Sequence, residues 1–133
     1  MSPDDAPAPS LPLLVVDAAN VVGSVPDGWW RDRRAATERL LDSVAPLAPT
    51  GVPGLPGPID ITVVVEGRAR GAAGRPGVGV VEAPGSGDDA IVDVVSENRD
   101  RRVAVVTADR GLRSRVEALG AETIGPRVIR EGA

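Results

Sequence analysis

The stretch LLVVDAAN, residues 13–20, consists of four aliphatic residues followed at once by an acid and, three residues later, by an amide. A continuous apolar run of this length is typical of a strand that is buried on both faces, as in parallel sheets. Asp17 then lies where the strand ends. The stretch therefore predicts a parallel sheet whose first strand places a carboxylate at its carboxyl end.

Further apolar runs along the chain predict more strands of the same kind. The predicted strands span residues 13–16, 59–65, 78–81, 103–106 and 121–124. Apolar residues at helical spacing predict helices over residues 31–45, 87–98 and 109–119. Because helices alternate with continuously apolar strands, we predict an α/β fold: a three-layer sandwich with a mostly parallel central sheet, Rossmann-like in its layers.

The 133 residues fit one domain, which we assign to residues 11–130. Residues 1–10 are polar and Pro-rich, which predicts a disordered tail rather than a signal peptide. Residues 45–58 contain so much Pro and Gly that we predict an exposed loop without regular structure. No apolar run approaches the ~20 residues of a membrane span, so we predict a cytoplasmic protein without a membrane partner.

The composition restricts the chemistry that the chain can perform. It contains no Cys and no His, which excludes disulfides, zinc-thiolate sites and a histidine base. The formal net charge of −4 is not typical of a protein that coats nucleic acid, although bound cations can neutralise an acidic edge. Any hydrolytic activity must therefore depend on carboxylates, hydroxyls and arginine.

Several carboxylates follow the predicted strands directly or lie in the turns after them. They are Asp17, Glu66, Asp88, Asp89 and Asp109. Carboxyl ends of parallel strands meet at one edge of a sheet, where neighbouring acids repel each other unless a cation joins them. Oxygen ligands select a hard cation, Mg²⁺ or Mn²⁺. The expected ligands are Asp17, Asp109 and one of Asp88 or Asp89, with Glu66 bound through water.

Several polar residues in these turns also have a purely structural interpretation. Ser86, Asp88 or Asp109 could cap the start of a helix, and Asn20 could brace the loop after the first strand. The functional interpretation gives Asn20 the task of orienting Asp17 or a water molecule. The functional interpretation is favoured because acids lie in the connections after four separate strands, and helix capping alone does not require such a pattern.

The sequences LLVVDAANVVGS, GSGDDAIVDVV and VAVVTADRGL resemble the three acidic motifs of NYN domains, a branch of the PIN-like nucleases. The resemblance extends over about residues 12–127. It implies a Mg²⁺- or Mn²⁺-dependent ribonuclease, expected to be an endoribonuclease. It also implies a catalytic role for Asp17, Asn20, Asp88, Asp89 and Asp109, and a site role for Thr107. The family commonly has Gly where this chain has Ala18.

Arginines near the acidic motifs suggest how RNA phosphates could be held. Arg68, Arg70 and Arg75 lie in the Gly-rich loop after Glu66, where they could form bidentate contacts or simply be solvated. We include Thr107, Arg68, Arg70 and Arg110 as the expected substrate-binding residues. Trp29 and Trp30 are followed by arginines, and stacking on bases there suits single-stranded RNA. Because the chain has no other aromatic residue, we assign a packing role to one of the two tryptophans and leave the other open.

Other functions are compatible with parts of the sequence. A Toprim-like domain would use Glu66-Gly67 but needs Asp-x-Asp where this chain has Thr107-Ala108-Asp109. A haloacid-dehalogenase-type phosphatase would need an acid at Ala19, and a receiver-like domain would need a lysine, which the chain lacks. From a different class, the chain could be an inactive RNA- or protein-binding module. An antitoxin-like partner can be neither inferred nor excluded from the sequence.

Overall fold

The structure, a computed structural model, describes residues 10–23, 32–67, 71 and 73–132. The strands are β1 (Leu13–Asp17), β2 (Gly51–Val52), β3 (Leu55–Pro56), β4 (Asp60–Val65), β5 (Val78–Glu82), β6 (Val103–Val106) and β7 (Glu122–Ile124). The helices are α1 (Ala18–Gly23), α2 (Arg33–Val44), α3 (Leu47–Thr50), α4 (Gly87–Glu97), α5 (Arg110–Glu117) and α6 (Arg127–Gly132).

Five strands form one sheet in the order β5-β4-β1-β6-β7, and every neighbouring pair is parallel. The chain runs outward from β1 through β4 to β5 and then crosses back to β6 and β7. The strand order therefore reverses at β1, between β4 and β6, which is where open α/β sheets bind ligands. The predicted fold class, a three-layer α/β sandwich with a parallel central sheet, is confirmed.

Alternating side chains of the strands bury two separate layers of aliphatic residues. Leu14 and Val16 of β1 face a cluster that includes residues of α1, α2 and α6. Leu13 and Val15 face the opposite cluster, which α4 and α5 cover with residues such as Ile91. Side chains on both faces of β1 are buried. The strand therefore has a continuous apolar sequence rather than an alternation of apolar and polar residues.

The structure differs from our prediction for residues 45–58. We expected an exposed loop, but the segment forms α3 and the short antiparallel hairpin β2–β3. Val52 and Leu55 are buried in the larger cluster. The prediction was wrong because it weighed the turn residues and overlooked the apolar ones between them. Gly51 has a φ of 78° and lies against the backbone of residues 55–57. Glycine is therefore required at this position for the hairpin to form, and it does not indicate disorder.

Short helices were also missed. α1 follows β1 without a connecting loop, and α6 lies after the last predicted strand. Both have six residues, which is too short for helical periodicity to show in a sequence. The predicted tail falls outside the described residues, apart from Ser10. None of the helices in the described ranges is long and apolar enough to cross a membrane.

Leu55→Ala tests whether the hairpin belongs to the core. Leu55 is completely buried, so we expect the free energy of unfolding to fall by about 2–4 kcal/mol, as for other leucines truncated in a packed core. Chemical denaturation measures the change. Leu11→Ala is the matched control because Leu11 is an exposed leucine, and it should cost less than about 1 kcal/mol. Equal costs for the two variants would contradict the packing described above.

Candidate functional site

The carboxyl ends of the parallel strands bring four carboxylates into one cavity. Asp17 is the last residue of β1 and Glu66 directly follows β4, while Asp88 lies in the first turn of α4 and Asp109 directly precedes α5. The cavity has a volume of about 280 Å³, and the residues that line it are Asp17, Ala19, Asn20, Glu66, Asp88 and Asp109. Five of these six were expected to be site residues.

Asp17 is the most deeply buried of the four acids, with 7% of its surface exposed. Its Oδ2 accepts a hydrogen bond from the Thr107 hydroxyl at 3.0 Å, and its Oδ1 accepts one from the Asn20 backbone N–H at 3.3 Å. Burial raises the pKa of Asp17 above its ordinary value, these hydrogen bonds oppose the rise, and repulsion from Asp88 and Glu66 adds to it. The ionised form of Asp17 is therefore costly.

Thr107 is a positioning residue in the structure. We expected it to contact substrate, but its side chain is completely buried. Its hydroxyl donates to Asp17 and also accepts the Asp109 backbone N–H at 3.1 Å. One hydroxyl thus connects the end of β1 to the start of α5, and it fixes two of the acids relative to each other.

Asn20 braces the site in a similar way. Its side-chain oxygen accepts the Ala108 backbone N–H at 2.9 Å, so α1 is tied to the loop between β6 and α5. This is the bracing interpretation of Asn20. The residue also lines the cavity and its N–H bonds to Asp17, so it contributes to orienting Asp17 as well.

Asp88 and Asp89 have different surroundings. Ser86 caps α4 by accepting the Asp88 backbone N–H at 3.1 Å, which leaves the Asp88 carboxylate out of the cap. Burial raises the pKa of Asp88, repulsion from Asp109 raises it further, and Arg115 partly opposes the rise. The Asp89 side chain, 73% exposed, instead pairs with Arg115 at 3.0 Å and does not line the cavity. We therefore withdraw Asp89 from the expected metal ligands and from the catalytic set.

Asp109 serves both as a helix cap and as a wall of the cavity. Its Oδ1 accepts the Leu112 backbone N–H at 3.0 Å at the start of α5. A carboxylate at that position also meets the positive end of the helix dipole. The capping interpretation of Asp109 is correct, and it does not exclude a further role for the second oxygen.

Glu66 contacts the start of α4. Its Oε2 accepts the Gly87 backbone N–H at 2.5 Å. A Cβ on Gly87 would lie 2.6 Å from the same oxygen, so a larger residue would push the carboxylate away. Gly87 was not among the residues predicted to form the site. Its position between the capping Ser86 and Asp88 was the available signal.

The oxygen donors of the site are of the type that a divalent cation prefers. They do not, however, form a complete set of direct ligands. All the acids offer hard oxygens, and their mutual repulsion favours a positive charge between them. However, no three Asp or Glu side chains in the described ranges lie close enough together to hold one ion. The expected direct contact of one ion with three carboxylates is therefore not preassembled. Mg²⁺ often binds through only one or two carboxylates and keeps several waters, so it does not require three preassembled carboxylate ligands.

The structure describes only some of the arginines that were expected to bind phosphate. Arg68, Arg70 and the Trp29–Trp30 pair lie outside the described residues. Arg75 forms ion pairs with Glu38 and Asp42 of α2, which engage its guanidinium in fixed contacts rather than leaving it mobile.

Two arginines of α5 lie near the site. Arg110 follows Asp109 and is exposed, but it does not line the cavity. Arg113, which the sequence analysis missed, donates from Nε to the Thr107 carbonyl at 3.0 Å. Its place one helical turn after Arg110 was the available signal.

Known proteins resemble this chain in structure but not detectably in sequence. The sequence matches no known family model, and no curated protein matches it. The structure is similar to two crystal structures of Rae1 (YacP) from Bacillus subtilis. The W164L mutant matches with a TM-score of 0.68 and 18% identity, over 92% of this chain and 74% of that one. A second Rae1 structure matches with a TM-score of 0.66 and 21% identity, over 90% and 72%. At such identities the similarity shows a shared fold.

Proposed function

We propose that the cavity is the active site of a metal-dependent endoribonuclease that hydrolyses RNA phosphodiester bonds. The observation that carries this proposal is the meeting of Asp17, Glu66, Asp88 and Asp109 in one cavity at the point where strand order reverses. Folding them together raises the pKa of Asp17 and Asp88, a cost that a purely structural role does not explain. Similarity of the fold to Rae1 and resemblance of the motifs to NYN domains support RNA as the substrate.

The chain's residues divide the work of such a reaction. Asp17 and Asp88 would hold Mg²⁺ or Mn²⁺, with Asp109 as the third candidate. A bound cation would stabilise the charge that develops on the phosphate and make a water molecule more acidic, so a histidine base is unnecessary. Thr107 and Asn20 hold Asp17 in place. Arg68, Arg70 and Arg110 would contact single-stranded RNA.

Cleavage of a labelled single-stranded RNA tests the proposal. We expect cleavage with Mg²⁺ or Mn²⁺, none with excess chelator, and a fall of about 100-fold or more for Asp17→Asn or Asp109→Asn. Asp93→Asn is the matched control, because Asp93 is an exposed aspartate of α4 that does not line the cavity. It should cleave at the wild-type rate.

An RNA-binding module without activity is the second candidate. It is favoured by the finding that no three acidic side chains in the described ranges are close enough to hold one ion. Binding of the same RNA, measured by fluorescence anisotropy, separates the two. Binding that needs no metal and is never followed by cleavage would replace the nuclease proposal with this one.

Replacing Thr107 tests its positioning role. Thr107→Val keeps the shape of the side chain but removes the hydroxyl between Asp17 and Asp109. Losing these buried hydrogen bonds should destabilise the protein by about 1–3 kcal/mol and lower kcat with little change in KM. Thr107→Ser retains the hydroxyl and should recover most of the activity. If the serine variant were as impaired as the valine variant, the hydroxyl would not be the group that matters.

Asp88→Asn should separate stability from activity. The raised pKa of Asp88 means that its ionised form destabilises the folded state at neutral pH, and that the cost fades as the pH falls through the raised value. The variant should therefore have a higher unfolding temperature than wild type at pH 7. The gain in the free energy of unfolding should be less than about 1 kcal/mol because the residue is partly exposed. It should also be inactive.

Thermal unfolding at several pH values measures the effect of Asp88→Asn. The advantage of the variant should shrink toward acidic pH, where wild-type Asp88 becomes protonated. A variant less stable than wild type at pH 7 would show that burial and repulsion do not make the ionised form of Asp88 unfavourable.

A further inference from the structure

The contact between Glu66 and Gly87 joins the end of β4 to the first turn of α4. The Glu66 Oε2 accepts a hydrogen bond from the Gly87 backbone N–H. Twenty-one residues separate the two partners in the chain. The contact therefore fixes the helix relative to the sheet, and it does so one residue before Asp88.

The space around Gly87 fits this contact closely. Gly87 is buried, and a Cβ there would lie 2.6 Å from Glu66 Oε2 and 3.5 Å from its carboxyl carbon. A methyl group at this position would therefore force the Glu66 carboxylate to shift away from the Gly87 N–H. Gly85, two residues earlier, has open space where a Cβ would be added. The restriction is thus specific to the position that Glu66 contacts.

We propose that Glu66 is a positioning residue, whose carboxylate holds the first turn of α4 through the Gly87 N–H and so fixes Asp88 beside Asp17. The inference rests on the proposed function and refines it. Glu66 had been expected to bind the cation through water. The structure commits one of its oxygens to the helix, at the end where the dipole favours a negative charge, and the other oxygen remains available for the expected contact through water.

Four variants test this role. Glu66→Ala removes the acceptor, and Glu66→Gln removes the charge but keeps an oxygen that can accept from Gly87. Gly87→Ala leaves the carboxylate in the chain but blocks its approach. Gly85→Ala is the matched control, because it adds the same methyl group where nothing lies within 4 Å.

The first measurement is RNA cleavage, with kcat and KM determined separately. We expect Glu66→Ala and Gly87→Ala to lower kcat by roughly tenfold or more with little change in KM, since Asp88 is misplaced. Glu66→Gln should retain roughly a third of the activity or more, because a neutral acceptor is weaker than a charged one. Gly85→Ala should match wild type. A glutamine variant as poor as the alanine variant would show that the charge is required, and it would overturn the proposal.

The second measurement, hydrogen exchange of the Gly87 amide followed by NMR, does not depend on activity. Exchange should be slow in the wild type and in Glu66→Gln, and faster by more than about tenfold in Glu66→Ala. Equally fast exchange in all three proteins would overturn the positioning role even if RNA is cleaved. If the amide is protected as expected but no variant or wild type cleaves RNA, the nuclease proposal fails and the contact stands as a structural one.

Discussion

Repulsion between acids at the carboxyl edge of the sheet is the constraint on which the site depends. Parallel strands deliver Asp17, Glu66 and Asp109 to the same edge, and α4 adds Asp88. Burial and mutual repulsion raise the pKa of Asp17 and of Asp88, so the fold holds charge where charge is unfavourable. The buried aliphatic layers on both faces of the sheet supply the stability against which this cost is set.

The chain reduces the cost by giving most of the acids backbone N–H groups. Asp109 receives the Leu112 N–H at the start of α5, and Glu66 receives the Gly87 N–H at the start of α4. A helix start provides both free donors and the positive end of a dipole, so one element offsets part of the charge that it also helps to assemble. Structural and functional interpretations of these acids are therefore compatible, because a carboxylate has two oxygens.

The sequence was sufficient for the parts of the structure that follow from strand position. An acid placed directly after a buried parallel strand has to lie at the carboxyl edge, so the meeting of Asp17 and Asp109 could be foreseen. The hydrogen-bond partners of the side chains could not, because they depend on contacts across the fold. Asp89 is adjacent to Asp88, but the apolar face of the helix already favoured Asp88 as the inward residue, and the exposed Asp89 pairs with Arg115. Thr107 looked like a substrate contact, since nothing in the sequence shows that its hydroxyl is already used twice.

The distribution of hydrogen bonds differs between Asp88 and the other three acids, and it bears on where the proposed cation would bind. Both oxygens of Asp17 accept hydrogen bonds, and one oxygen each of Glu66 and Asp109 does so. Within the described part of the chain, no group donates a hydrogen bond to the Asp88 carboxylate, because Ser86 has taken over the cap. An anion without donors gains most from a cation. Asp88 therefore has the greatest free capacity for the proposed cation, while Asp17 and Asp109 can offer it only oxygens that already accept a hydrogen bond or the one oxygen left over.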